Sequence, residues 1–294
     1  MTIFRFDRCR RYRTLFKAVT LKIVFVIILK CLTQDNDSKN TMQIKETIKS
    51  SGDIYFQLLS ANDLERLKRV NRGPPIVVPR YKLIFFWNQK SACSYWKRVF
   101  QYIQGIPRKQ FQFIHTPERS GLKYLDNYSN ITISQMMNDP TWIKATFVRE
   151  PRERLLSAYL DKAIDNSFVL EKCNRSVKSF SDFIELTRTC KDPHWESQVR
   201  LPQHYYKHMI VGVMENLPDF TEKLLRKLGA WNNTVSHWLQ NRKRNDLVVT
   251  RMHATNAKKK ILKYYTHSLE KEVVTRYQKD YDVFGFNCSL LTLK

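Results

Sequence analysis

Residues 81–100 read YKLIFFWNQKSACSYWKRVF, and this stretch decides the fold class. From Tyr81 the run YKLIFFW is almost continuous in aromatic and branched apolar side chains, the pattern of a strand buried on both faces. The small polar cluster from Asn88 to Ser94 interrupts it. From about Tyr95 the period changes, because WKRVFQYI places Trp96, Val99, Phe100 and Ile103 on one helical face. Strand, short loop and helix follow one another directly.

The same order recurs downstream. WIKATFVR, from Trp142 to Arg149, is a second apolar run; Glu150-Pro151 breaks it, and Pro151 suits the first position of a helix. RERLLSAYLDKAI continues with Leu155, Leu156, Tyr159 and Ala163 on its inner side. A third run, MIVGVM from Met209 to Met214, precedes ENLPDFTEKLLRKLGAW, a helix closed by Gly229. Ala257 to Tyr281 reads as helical and basic. Strand-helix units in series predict an α/β domain built on a central parallel sheet.

Composition narrows the chemistry. The chain has 294 residues, a formal net charge of +24, 43% hydrophobic and 27% charged residues, so a core is available and wholesale disorder is excluded. Its seven glycines form neither G-x-G nor G-x-x-x-x-G-K, which removes the dinucleotide fingerprint and the Walker loop. A phosphate site here must be lined by other small residues. The basic excess is spread along the chain, so the expected partners are polyanions: nucleic acid, an anionic membrane surface, or acidic polysaccharide and nucleotide.

The N-terminus bears on compartment. Arg5, Arg8, Arg10, Arg11 and Arg13 precede a span from Leu15 to Leu32 whose apolar centre is Ile23 to Leu29. This predicts a cytosolic tail over residues 1–13, an uncleaved signal anchor over 14–33, a lumenal stem over 34–80 and a globular domain over 81–294. Lys17, Lys22 and Lys30 interrupt the span, so a basic amphipathic helix on a cytosolic membrane face is the competing reading. The sequons at Asn36, Asn127, Asn130, Asn174, Asn232 and Asn287 favour translocation. In a lumenal setting Cys173 and Cys190, which flank the short helical segment FSDFIEL, are expected to pair; buried free thiols are the alternative.

Two strand-to-helix turns carry the chemistry. In the first, Ser91, Ala92, Cys93 and Ser94 are small enough for backbone N–H groups to converge on an anion at a helix N-terminus, with Lys90 at the mouth. In the second, Arg149 ends a strand, where a guanidinium can fork onto phosphate, and Ser157 follows on the adjoining helix.

Both turns resemble the signature loops of the Golgi carbohydrate sulfotransferases, the membrane-bound family that includes chondroitin and dermatan 4-O-sulfotransferases. Lys90, Cys93, Trp96 and Lys97 match its first loop, P-K-x-x-C-T-x-W-K. Val148, Arg149, Pro151, Glu153, Arg154, Leu155, Ser157, Ala158 and Tyr159 match its second, V-R-x-P-x-E-R-L-x-S-A-Y. The block Asp192 to Trp195 and the segment Tyr277 to Phe286 also resemble the family, so the likeness covers about residues 81–288. Gln89, Ser94 and Tyr95 depart from the family's proline, threonine and asparagine, and the cysteines usual near Leu201-Pro202-Gln203 are missing.

The resemblance implies a three-layer sulfotransferase fold of the P-loop-NTPase type and the donor 3′-phosphoadenosine 5′-phosphosulfate (PAPS), with no metal. Lys90 with Ser91, Ala92, Cys93, Ser94, Tyr95 and Trp96 would hold the 5′-phosphosulfate, and Arg149 with Ser157 the 3′-phosphate. The implied acceptor is an acidic glycan, with the GalNAc 4-hydroxyl of chondroitin- or dermatan-type chains as the expected site. The implied location is the Golgi membrane, and nucleic acid is not an expected partner. Sulfuryl transfer is an in-line displacement, so Lys90 is the expected stabiliser of charge on the leaving oxygen. His115, lying between the turns in FQFIHTPERSGL, is the expected base, with His194 and Glu118 as rivals. His204 and His208 read as a helix face rather than a metal pair, and Lys258 to Lys260 as a solvated face that could alternatively reach the 3′-phosphate or a sulfated glycan. Two other functions compete: a noncatalytic glycan-binding relative with the same fold, and a cytosolic nucleic-acid binder, which the sequons and the N-terminal span oppose.

Overall fold

The sheet starts ahead of the YKLIFFW run. In the computed structural model, which describes residues 61–68, 73–164, 167–245 and 255–290, the first described elements are helix α1 (Ala61–Lys68) and strand β1 (Ile76–Val78). All three β1 residues are fully buried, so the sheet draws on residues that the sequence assigned to the stem. The expected cytosolic tail, the anchor at 14–33, the stem up to residue 60 and the sequon at Asn36 lie outside the described residues. Among the described residues no helix is long and apolar enough to cross a membrane.

The chain continues through β2 (Leu83–Phe86), α2 (Cys93–Ile103), β3 (Lys123–Tyr124), α3 (Asn130–Asn138), β4 (Ile143–Val148) and α4 (Pro151–Lys162). Helices α5 (Phe168–Cys173) and α6 (Phe180–Thr189) precede β5 (Ile210–Val213) and α7 (Leu217–Lys227). The last helices are α8 (Asn233–Asn245), α9 (Ala257–Tyr264), α10 (His267–Arg276) and α11 (Gln278–Phe284). The strand order is β3-β1-β2-β4-β5. Strands β2, β4 and β5 are parallel, with Phe85 opposite Ala145 and Phe147 opposite Gly212.

The sheet is mixed rather than wholly parallel, because β1 runs antiparallel to both β2 and β3. The connection explains it: β1 and β2 are joined only by the turn Pro79–Tyr81 and by Lys82 at φ 45°. A parallel pair needs a crossover of a dozen or more residues.

Alternation along the strands fills both faces. Leu83, Phe85, Ala145 and Phe147 meet Trp96, Val99, Phe100 and Ile103 of α2 and Phe220, Leu224 and Leu225 of α7. Their neighbours Ile84, Phe86 and Val148 are buried on the opposite face, so the sheet is covered on both sides. A second core packs Leu155, Leu156 and Tyr159 of α4 against Phe183, Trp195, Val273 and Tyr277. Cys173 and Cys190 form the expected disulfide, with Cα atoms 5.7 Å apart, tying the end of α5 to the end of α6. Because β2 and β4 are adjacent and parallel, the turns that leave them emerge side by side at one sheet edge, where ligands of open α/β sheets bind.

Candidate active site

The first turn is fixed from below and strained at its tip. Asn88 Nδ2 donates to the Phe147 carbonyl at 3.2 Å, and Trp87 Nε1 donates to that of Pro74 at 2.9 Å. Lys90 and Ala92 then adopt φ of 65° and 55°, left-handed backbone that non-glycine residues seldom enter. Ala92 caps α2 by accepting from Trp96 N at 3.1 Å. Left-handed residues in a turn ahead of a helix are a backbone arrangement in which successive N–H groups can face an anion.

The second turn is clamped to the first by one side chain. Gln198 accepts from Arg149 N at 2.9 Å and donates to Arg149 O at 2.7 Å, while Ser91 Oγ donates to its amide oxygen at 3.0 Å. Gln198 is in turn held by Asp280, whose carboxylate accepts from Gln198 N at 2.9 Å and Val199 N at 3.1 Å. Arg149 Nη1 donates to the Lys90 carbonyl and Arg149 Nε to Glu153 Oε2, each at 3.4 Å.

The other two arginines of REPRER are architectural. Buried Arg154 donates to the carbonyls of Gln89 at 2.8 Å and of Pro193 and Glu196 at 2.6 Å, joining the first turn to the Asp192–Trp195 block. Arg152 pairs with Glu150 and Glu270 and donates to the carbonyls of Asn287 and Ser289.

Both turns open on a cleft of about 750 Å³. Lys90, Ala92, Cys93, Ser94, Tyr95, His115, Arg149 and Ser157 line it, as does the rival base His194. Ser91 and Trp96 do not. The Ser91 hydroxyl is turned to Gln198, and Trp96 is buried in the core among Phe85, Phe100 and Phe147. Glu118 sits on the exposed surface outside the cleft. Lys258 and Lys259 belong to the wall and Lys260 does not. Sequence reading missed Asp161, Lys162, Glu215, Thr255 and Asn256, which also line it. Asp161 had a signal, since it stands one helical turn beyond Ser157. Thr255 had none, although its hydroxyl donates to Ser157 Oγ at 2.9 Å.

Electrostatics divide the cleft. Lys90 Nζ lies 3.1 Å from Asp161 Oδ2, and Lys162 Nζ reaches the same oxygen at 3.2 Å. Burial pulls Lys90 below the ordinary lysine value, and Asp161 opposes the shift. Burial likewise lowers Arg149 against the pull of Glu153. His194, which also lines the cleft, has Nδ1 2.6 Å from Asp192 Oδ1. Burial holds that imidazole below the ordinary histidine value, with Asp192 opposing. Burial would raise Asp192, but its hydrogen bonds from His194 outweigh this and keep it low. His115 Nε2 is 3.0 Å from Ser94 Oγ. Two cations and a left-handed turn at one end, with two imidazoles nearby, suit an anionic donor whose group passes to a hydroxyl. Among the described residues no three His, Cys, Asp or Glu side chains gather to hold a metal ion.

Comparison with known proteins gives the same direction. The profile described as "Sulfotransferase family" matches residues 75–287, starting at the foot of β1. Carbohydrate sulfotransferase 9 of Homo sapiens is 26% identical over 89% of this chain and 64% of its own length. Carbohydrate sulfotransferase 11 of Danio rerio is 33% identical over 41% of this chain and 33% of its own length. Carbohydrate sulfotransferase 8 of Mus musculus is 35% identical over 29% and 21%. The chain thus spans less than two thirds of the length of these curated relatives. No solved structure gives a significant match.

Proposed function

This chain belongs to the sulfotransferase family, and from that premise we propose that it is a carbohydrate O-sulfotransferase using PAPS as donor. The observation that carries the proposal is the meeting of two turns, distant in sequence, around one cleft, with the Arg149 guanidinium on the Lys90 carbonyl at 3.4 Å. The donor set fits an adenosine nucleotide with two anionic ends. The small-residue turn with Lys90 suits the phosphosulfate, and Arg149 with Ser157 suits the 3′-phosphate. PAPS supplies the activated sulfuryl group; the protein's own residues align, stabilise charge and move a proton.

Lys90 is the charge that grows in value as the bridging oxygen becomes negative. Arg149 orients, because its phosphate does not change during transfer. A base must take the acceptor hydroxyl proton. His115, beside Ser94, is the residue the sequence favours, while the Asp192 contact supports His194, since a carboxylate on Nδ1 fixes the tautomer and leaves Nε2 to accept. The finer reading is a GalNAc 4-hydroxyl of a chondroitin- or dermatan-type chain, held by the basic surface, in the Golgi lumen of a protein anchored through residues 14–33.

The deciding experiment is transfer of labelled sulfate onto a panel of desulfated glycosaminoglycans by a secreted form starting near Ser51. Label on desulfated chondroitin or dermatan at the GalNAc 4-position is the expected result. Binding of 3′-phosphoadenosine 5′-phosphate (PAP) without transfer to any glycan would mean the noncatalytic relative instead. A cell-derived protein whose mobility peptide-N-glycosidase leaves unchanged would remove the lumenal assignment.

A further inference from the structure

We propose that Asp161 is the positioning residue for Lys90: its carboxylate holds the ammonium inside the cleft when no anion is bound and releases it when one arrives, an assignment that rests on the donor-site reading above. The pair is enclosed. Lys90 Nζ and Asp161 Oδ2 are 3.1 Å apart, with side chains only 9% and 11% exposed. Lys162 Nζ meets the same oxygen at 3.2 Å. Asp161 follows Ser157 by one turn on α4, so the two side chains share a face and both line the cleft.

A carboxylate in a cleft built for anions opposes ligand binding, because like charges repel strongly where water is excluded. Its presence needs a compensating role, and Lys90 provides one. A desolvated ammonium loses its proton more readily, whereas the role proposed for Lys90 requires the charged form. The groups facing Lys90 are Asp161 and Lys162 of α4, Cys93 of the first turn of α2, and His194 of the Asp192–Trp195 block. Burial and Lys162 draw the ammonium down, while Asp161 and Cys93 hold it up. Arg149 touches the Lys90 carbonyl. When an anion enters, Lys90 exchanges one anionic partner for another, and Lys162 remains as counter-ion to Asp161. No charge is stranded.

The test compares the full chain with Asp161→Asn and Asp161→Glu, using PAP as the probe for binding and labelled PAPS for turnover. Asp161→Asn should bind PAP about tenfold more tightly, since a like charge has left the site. Its alkaline loss of kcat should begin about one pH unit lower, since the group that kept Lys90 charged is gone. Asp161→Glu should restore the wild-type limb. Labelling of Lys90 by an amine-reactive reagent across pH, read by mass spectrometry, should show the same displacement without needing turnover, so a poorly active variant still decides the matter. Uniform loss of activity at every pH, with Lys90 labelling unmoved and PAP affinity unchanged or weaker, would overturn the proposal. A wild-type chain that does not bind PAP would instead overturn the donor-site reading, and this proposal with it.

Discussion

Lys90 and Arg149 leave adjacent parallel strands and face one cleft, yet removal of each should be felt differently. Lys90→Ala should chiefly lower kcat, by about 10²–10³, as loss of one transition-state donor does. Arg149→Ala should chiefly raise the donor KM and weaken PAP binding, because its proposed partner is the same in ground and transition states. Steady-state kinetics and PAP titration, with circular dichroism as the folding control, check both; normal turnover by Lys90→Ala at saturating donor sinks the assignment. His194 carries its own pH test. Burial holds its imidazole below the ordinary histidine value, so a base at His194 stays neutral, and active, to lower pH than an unperturbed histidine would. Asp192→Asn removes the partner that raises it, which should move the acid limb of kcat/KM to still lower pH and lower kcat as the ring loses its orientation. An unmoved acid limb assigns the proton to His115. Within REPRER the sequence shows three arginines but not which way each turns. Arg149 reaches the cleft while Arg152 and Arg154 are consumed by buried carbonyls and carboxylates, because direction depends on helix phase and on partners 39 to 137 residues away.

Elements were legible where burial leaves a continuous apolar run. YKLIFFW, WIKATFVR and MIVGVM became β2, β4 and β5, and the helices after them begin close to where cap residues and period placed them. β1 and β3 escaped because three residues after Pro74-Pro75, and two before a turn, are too few to display any period. The contact of β5 with α7 gives a sharper test of packing. A Cβ at Gly212 would lie 2.5–2.6 Å from the Phe220 ring, and Phe220 belongs to the same core as Trp96 and Phe147. Gly212→Ala should therefore destabilise by about 1–3 kcal/mol, the usual range for overpacking. A denaturation midpoint equal to wild type would show that α7 moves aside freely.

At the scale of the molecule, a net charge of +24 makes long-range attraction part of any encounter with a polyanion. Raising ionic strength from about 0.05 M to about 0.5 M shortens the screening length several-fold. The acceptor KM should rise steeply over that range while the Kd of PAP, whose proposed partners are buried, changes less; equal sensitivity would place the acceptor contacts inside the cleft too. The bridge from Asp280 through Gln198 to both turns was invisible in sequence, because hydrogen bonds between residues 49 and 82 positions apart leave no local mark. That bridge also sets an order in time. Ser91 and Arg149 leave the ribosome before Gln198, and the backbone of Gln198 is not pinned until Asp280 of α11 has followed, so the bridge between the two turns is completed only after α11 has emerged. A nascent chain halted ahead of α11 should carry a sheet with its strands paired and a cleft that does not bind PAP, acquiring affinity only once α11 is released.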